Sequence, residues 1–94
     1  MSYPNSISCV LSNDFETLKK LSIDELKQCD DMGRNVLHAL CYKRESQMIN
    51  YVLKKFGNDA RNMSNSTDNK GNVPAHYACG LSWEESKYWE RNEE

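Results

Sequence analysis

The chain has 94 residues, 38% of them hydrophobic and 28% charged, with a formal net charge of −2. That length allows one small domain, with only about 60–65% of the unfolded surface buried on folding. No stretch reaches the ~18 apolar residues of a membrane span, and no concentrated basic face marks a nucleic-acid binder, so neither membrane nor nucleic acid is an expected partner.

The negative charge is local: Trp83 to Glu94 holds five Glu against Lys87 and Arg91, and the rest of the chain is close to neutral. Met1-Ser2-Tyr3-Pro4-Asn5-Ser6 has neither the basic nor the apolar segment of a secretory signal. The expectation is a soluble cytoplasmic protein, with the nucleus as the alternative compartment. Its four cysteines are then reduced thiols, and the sequons Asn62-Met63-Ser64 and Asn65-Ser66-Thr67 are unmodified loop residues.

In chain order, Ile7, Val10, Leu11, Phe15, Leu18 and Leu21 recur at spacings of three and four, the period of helix facing a core. Ser12-Asn13-Asp14 interrupts them. Asn13 suits a left-handed helix end and Asp14 or Asn13 a cap, which predicts two short antiparallel helices. Ser22 and Glu25 stand at capping-box spacing, so a brief helical turn is expected there, with Ile23 and Leu26 touching the core.

A turn at Asp30 to Gly33 precedes a helix around Asn35 to Tyr42. A second helix is expected from Glu45 or Ser46 to Lys55, burying Met48, Ile49, Val52 and Leu53. Gly57 to Lys70 is polar and reads as an extended connecting loop. After Asp68 a helix from Val73 to about Gly80 and another from about Ser82 towards the end are expected. Three sections follow: a helix pair over 5–29, a unit with the extended loop over 30–67, and a last unit over 68–94, all within one domain, 1–94.

The segment Asp30-Asp31-Met32-Gly33-Arg34-Asn35-Val36-Leu37-His38-Ala39-Leu40-Cys41 returns 38 residues later as Asp68-Asn69-Lys70-Gly71-Asn72-Val73-Pro74-Ala75-His76-Tyr77-Ala78-Cys79. An Asp, a Gly three positions on and a His five after it resemble the Asp-x-x-Gly-x-Thr-Pro-Leu-His-x-Ala-Ala signature of ankyrin repeats. The resemblance spans roughly residues 5 to 90 and is strong at two places. Val36 and Ala75 depart from the usual Pro and Leu, and Arg44 and Ser82 stand where the family commonly places Gly, a strained choice if the backbone there is left-handed. The resemblance implies an all-α, ankyrin-like solenoid of about three stacked helix-turn-helix repeats with protruding turns.

The family has no chemistry of its own. The resemblance therefore implies no enzyme activity and no cofactor, but a module that holds another protein on its concave face and turn tips, as an adaptor, an inhibitor or a subunit of a larger complex. The variable positions it assigns are Asp31, Met32, Arg34, Tyr42 and Lys43, then Asn69, Lys70, Asn72, Tyr77 and Leu81. Lys19, Lys20, Lys54 and Lys55 fall on solvated outer faces. The aromatic end at Trp83, Tyr88 and Trp89 offers a competing contact surface. An alternative is the N-terminal regulatory portion of a larger enzyme or channel whose activity lies beyond residue 94.

His38-Ala39-Leu40-Cys41 and His76-Tyr77-Ala78-Cys79 place His and Cys on one helix face, a possible zinc or thiol-nucleophile arrangement. Repeat packing accounts for the same residues: the His ties the turn backbone, and the Cys is a small residue buried in the seam. No metal is expected. Cys9 reads as another small core residue, and Cys29, in the turn before Asp30, as the most reactive thiol.

Overall fold

The structure, a computed structural model, describes residues 3–83. Among the described residues every regular element is helical: α1 (Asn5–Leu11), α2 (Phe15–Leu18), α3 (Ile23–Leu26), α4 (Val36–Lys43), α5 (Ser46–Phe56), α6 (Asn58–Ser64) and α7 (Pro74–Ala78). No helix among them is long and apolar enough to cross a membrane.

The breaks between the first helices are local chemistry. Asn13 takes the left-handed conformation, φ 61°, after α1, and an Asp14 carboxylate oxygen accepts the Thr17 N–H at 3.2 Å to cap α2. At α3 the capping box forms as expected: Ser22 Oγ accepts the Glu25 N–H at 3.4 Å while Glu25 Oε1 accepts the Ser22 N–H at 3.0 Å.

Helix α4 is the centre of the fold and packs against α1, α5, α6 and α7. Val36, Leu37, Ala39 and Leu40 are all buried, the pattern of a helix surrounded by core on most sides. Ile7 and Val10 from α1, Leu18, Leu26, and Met48 and Val52 from α5 complete that core. Arg44 ends α4 in the left-handed conformation expected of its position, φ 57°. Leu53 departs from its expected burial and is 43% exposed. The helix turns by about 100° per residue, and Leu53 lies that far round from the core-facing Val52.

The polar stretch after Gly57 is a correction of substance. An extended loop was expected, yet Asn58–Ser64 forms α6, with Ala60 and Met63 buried one turn apart. Gly57, φ 52°, makes the corner from α5. The Met63 carbonyl near the end of α6 accepts the Asn35 side-chain N–H at 3.0 Å, tying the segment to the start of α4. Two apolar residues among polar ones give no legible period, so packing on α4 decides the conformation.

Pro74 opens α7 at its first turn, where its missing N–H costs nothing. Leu81, Ser82 and Trp83 are not helical. The remainder of the last expected helix, with Tyr88 and Trp89, lies outside the described residues.

Candidate interaction surface

Asp30 and Asp68 build the same turn twice. In the first, one Asp30 carboxylate oxygen accepts the Met32 and Arg34 N–H groups, both at 2.9 Å, and the backbone closes through Gly33 N–H to the Asp30 carbonyl at 3.0 Å. In the second, Asp68 accepts the Lys70 and Asn72 N–H groups at 2.9 and 2.8 Å, and Gly71 N–H reaches the Asp68 carbonyl at 3.0 Å. Aspartate suits this position because its short side chain bonds backbone two residues on.

The two turns lie side by side. Asn69 N–H donates to the Met32 carbonyl at 2.8 Å, and its side-chain amide donates to the Asp31 carbonyl at 3.0 Å. Contact is close enough that a Cβ on Gly33, itself at φ +77°, would sit 2.6 Å from the Asn69 side-chain oxygen. Arg44 adds a bond from its guanidinium to the Ala78 carbonyl at 3.1 Å, joining the far ends of α4 and α7.

His38 is fully buried and spans the two units. Its Nδ1 accepts the Asn35 N–H at 3.0 Å, so the proton sits on Nε2, which donates to the Asn72 carbonyl at 2.9 Å. The His76 Nδ1 accepts the Val73 N–H at 3.3 Å in the same way. Both ring nitrogens of His38 are therefore occupied by backbone. Among the described residues no three or more His, Cys, Asp or Glu are grouped to hold a metal ion.

Burial lowers the His38 pKa, partly opposed by its bond to the Asn72 carbonyl. In the unfolded chain the ring titrates near 6.5, so below that pH the unfolded state binds the proton more readily than the folded one. Stability is then complete above about pH 6.5 and falls as the pH drops towards the lower folded value. Urea midpoints at pH 7.5 and 5.5 are expected to show this loss, and His38→Gln is expected to reduce it. An unchanged pH slope in that variant would refute the assignment.

A second buried network lies beside His38. The Arg34 Nε donates to an Asp30 oxygen at 2.8 Å with both side chains fully buried. Tyr77 donates its hydroxyl to Asp68 at 2.5 Å, and its ring meets His38 edge-on at a centroid distance of 5.4 Å. Burial drives the Tyr77 pKa well above its ordinary value, and the bond to Asp68 adds to the shift. Burial also pushes Asp68 upward, but hydrogen bonds from Tyr77, Asn72 and Lys70 outweigh it and hold the carboxyl below its usual range.

This network corrects the expected contact surface. Arg34, Met32 and Tyr77 were assigned to a partner-facing patch, but they are 0%, 6% and 2% exposed. Arg34 turns inward because Asp30, four residues before it, takes its Nε. Met32 lies at the seam where its carbonyl receives Asn69, and Tyr77 is held in by Asp68. Asp31, Asn69, Lys70 and Tyr42 do reach solvent, while Lys43, Asn72, Leu81 and Trp83 are half-buried. Trp89 lies outside the described residues.

The expected seam cysteines also differ. Cys41 is half-buried, with its pKa raised by burial, and Cys79 is exposed. Cys29, expected to be the most reactive thiol, is exposed, but burial of its thiol and the neighbouring Asp30 raise its pKa, which opposes reactivity.

One grouping had no sequence signal beyond its residue types. Trp83 stacks on the Arg34 guanidinium at 3.6 Å and lies within about 6 Å, centroid to centroid, of Tyr3, Tyr42 and Tyr77. Beside it is a cavity of about 280 Å³ lined by Tyr42, Arg44, Tyr77, Gly80, Leu81, Ser82 and Trp83. Comparison of the chain with protein-family models, curated proteins and solved structures finds no match.

Proposed function

We propose that this chain is a non-catalytic protein-interaction module of the ankyrin-repeat kind, working as an adaptor, inhibitor or assembly subunit in the cytoplasm. The observation that carries the reading is the doubled turn. Two segments 38 residues apart make the same aspartate-closed turn followed by a helix, and the turns bond to each other through Asn69.

Such an arrangement spends its polar groups on holding two tips at a fixed spacing. Asp31, Asn69 and Lys70 are exposed at those tips, with Asn69 lying across the seam between them, and Tyr42 is 39% exposed on the adjoining helix. Tyrosine is favoured at interfaces because it offers large, rigid area with one polar end. The proposed surface is therefore Asp31, Tyr42, Lys43, Asn69, Lys70, Asn72 and Leu81, without the buried Met32, Arg34 and Tyr77.

The test is calorimetric. A partner captured from lysate is titrated with the double variant Asp31→Ala/Tyr42→Ala and with Lys54→Ala/Lys55→Ala, whose lysines are exposed on α5. The first is expected to lose more than tenfold in affinity, about 1.4 kcal/mol, and the second to change little. Equal affinities for the two variants, both folded by circular dichroism, would reject the surface.

A further inference from the structure

Arg34 is unusual for a buried arginine. Its Nε is satisfied by Asp30, but among the described residues neither terminal nitrogen, Nη1 nor Nη2, reaches an acceptor in hydrogen-bond geometry; the Tyr77 hydroxyl, committed to Asp68, makes only a weak approach to the guanidinium. A guanidinium carries five N–H donors in a planar fork, and four of them belong to these two atoms. Buried donors without acceptors are rare because water has been given up and nothing replaces it.

What covers the fork is an aromatic ring. Trp83 lies over the guanidinium carbon at 3.6 Å, and stacking of this kind offsets part of the loss without supplying an acceptor. Trp83 also forms a wall of the 280 Å³ cavity, whereas Arg34 does not line it. The indole thus separates a solvent-connected cavity from an unsatisfied fork. Its own N–H makes only a long bond, 3.3 Å, to the Tyr3 hydroxyl.

We propose that Trp83 is a lid over a carboxylate site at Arg34, and that an acidic side chain of the protein partner displaces the indole and bonds the two free guanidinium nitrogens. This rests on the reading of the chain as an interaction module and names the chemistry its partner must bring. A carboxylate is the natural match, since two parallel N–H···O bonds fit its two oxygens. Arg44 also lines the cavity and supplies a second cation beside it, its guanidinium bonded to the Ala78 carbonyl. Asp30 balances Arg34 and Asp68 is engaged by Tyr77, so binding draws on unfilled hydrogen bonds more than on net charge.

Depth selects the source of the carboxylate. Arg34 is fully buried, so the acid must arrive on a stem; a glutamate side chain has one, whereas a chain terminus brings its own backbone to the opening. The cavity, several times the ~30 Å³ share of one water molecule, has room for such a stem.

The test follows the Trp83 indole N–H and Arg34 Nε–H resonances by NMR in a Trp89→Phe background. Three probes are titrated: N-acetyl-glutamate N-methylamide, its glutamine analogue and N-acetylglycine. The glutamate probe is expected to shift both resonances saturably and to bind at least tenfold tighter than the other two. Trp83→Ala, which uncovers the fork, is expected to bind it more tightly still. Arg34→Met is expected to abolish the preference for glutamate over glutamine. Equal binding of the glutamate and glutamine probes, or loss of binding in a folded Trp83→Ala, would overturn the site, and a preference for N-acetylglycine would overturn the side-chain source. Because no partner is present, these failures are distinct from failure of the interaction-module reading.

Discussion

Replacing Asp30 by alanine is expected to cost about 3–5 kcal/mol of folding stability, the usual penalty for stranding one half of a buried ion pair. Both side chains of the Asp30–Arg34 pair are fully buried, so the guanidinium left behind cannot recover its hydration. The same carboxylate also receives the Met32 and Arg34 backbone N–H groups, which lose their acceptor together with it. Urea denaturation followed by far-UV circular dichroism measures the loss. Adding Arg34→Met is expected to restore part of it, because no unpaired charge then remains in the core. A single-variant loss below ~1 kcal/mol would show that water reaches Arg34 and that the pair is not the closing element of the turn.

Leu37→Ala is the second large effect, about 2–5 kcal/mol, from lost apolar burial together with the cavity left behind. Leu37 is 3% exposed on α4, the helix that contacts α1, α5, α6 and α7. Neighbours on so many sides cannot all move in to fill the space. A domain this small has only about 5–15 kcal/mol in total, so the variant is expected to be largely unfolded at 37 °C unless a partner is bound. Leu53→Ala, at a position 43% exposed, serves as the control and is expected to change stability by no more than about 0.5 kcal/mol. Similar midpoints for the two variants would mean that α4 is not the centre of the core.

The difference between those two leucines shows what could be read from the chain. Both lie on helices that the sequence predicts, Leu37 from the repeated segment and Leu53 from an apolar stripe. Which one is covered depends on what else packs there, and period alone does not carry that information. The same holds for the candidate surface. The ankyrin resemblance assigned Arg34 and Tyr77 to a contact patch together with Tyr42, yet the first two are inside and only Tyr42 reaches solvent.

What the sequence by itself determined were interactions that close within about four residues. The left-handed Asn13, the Asp14 cap, the reciprocal Ser22 and Glu25 bonds, the Asp30 and Asp68 turns and the His38 bond to Asn35 all belong to this class. Their geometry is set by short chain connectivity, so spacing is enough to find them. The tertiary structure alone decided that Asn58 to Ser64 is helix, that Arg34 is buried under Trp83, and that Trp83 meets Tyr3 from the other end of the described chain. Those outcomes depend on which surfaces exclude water, a property of residues tens of positions apart that local pattern does not encode.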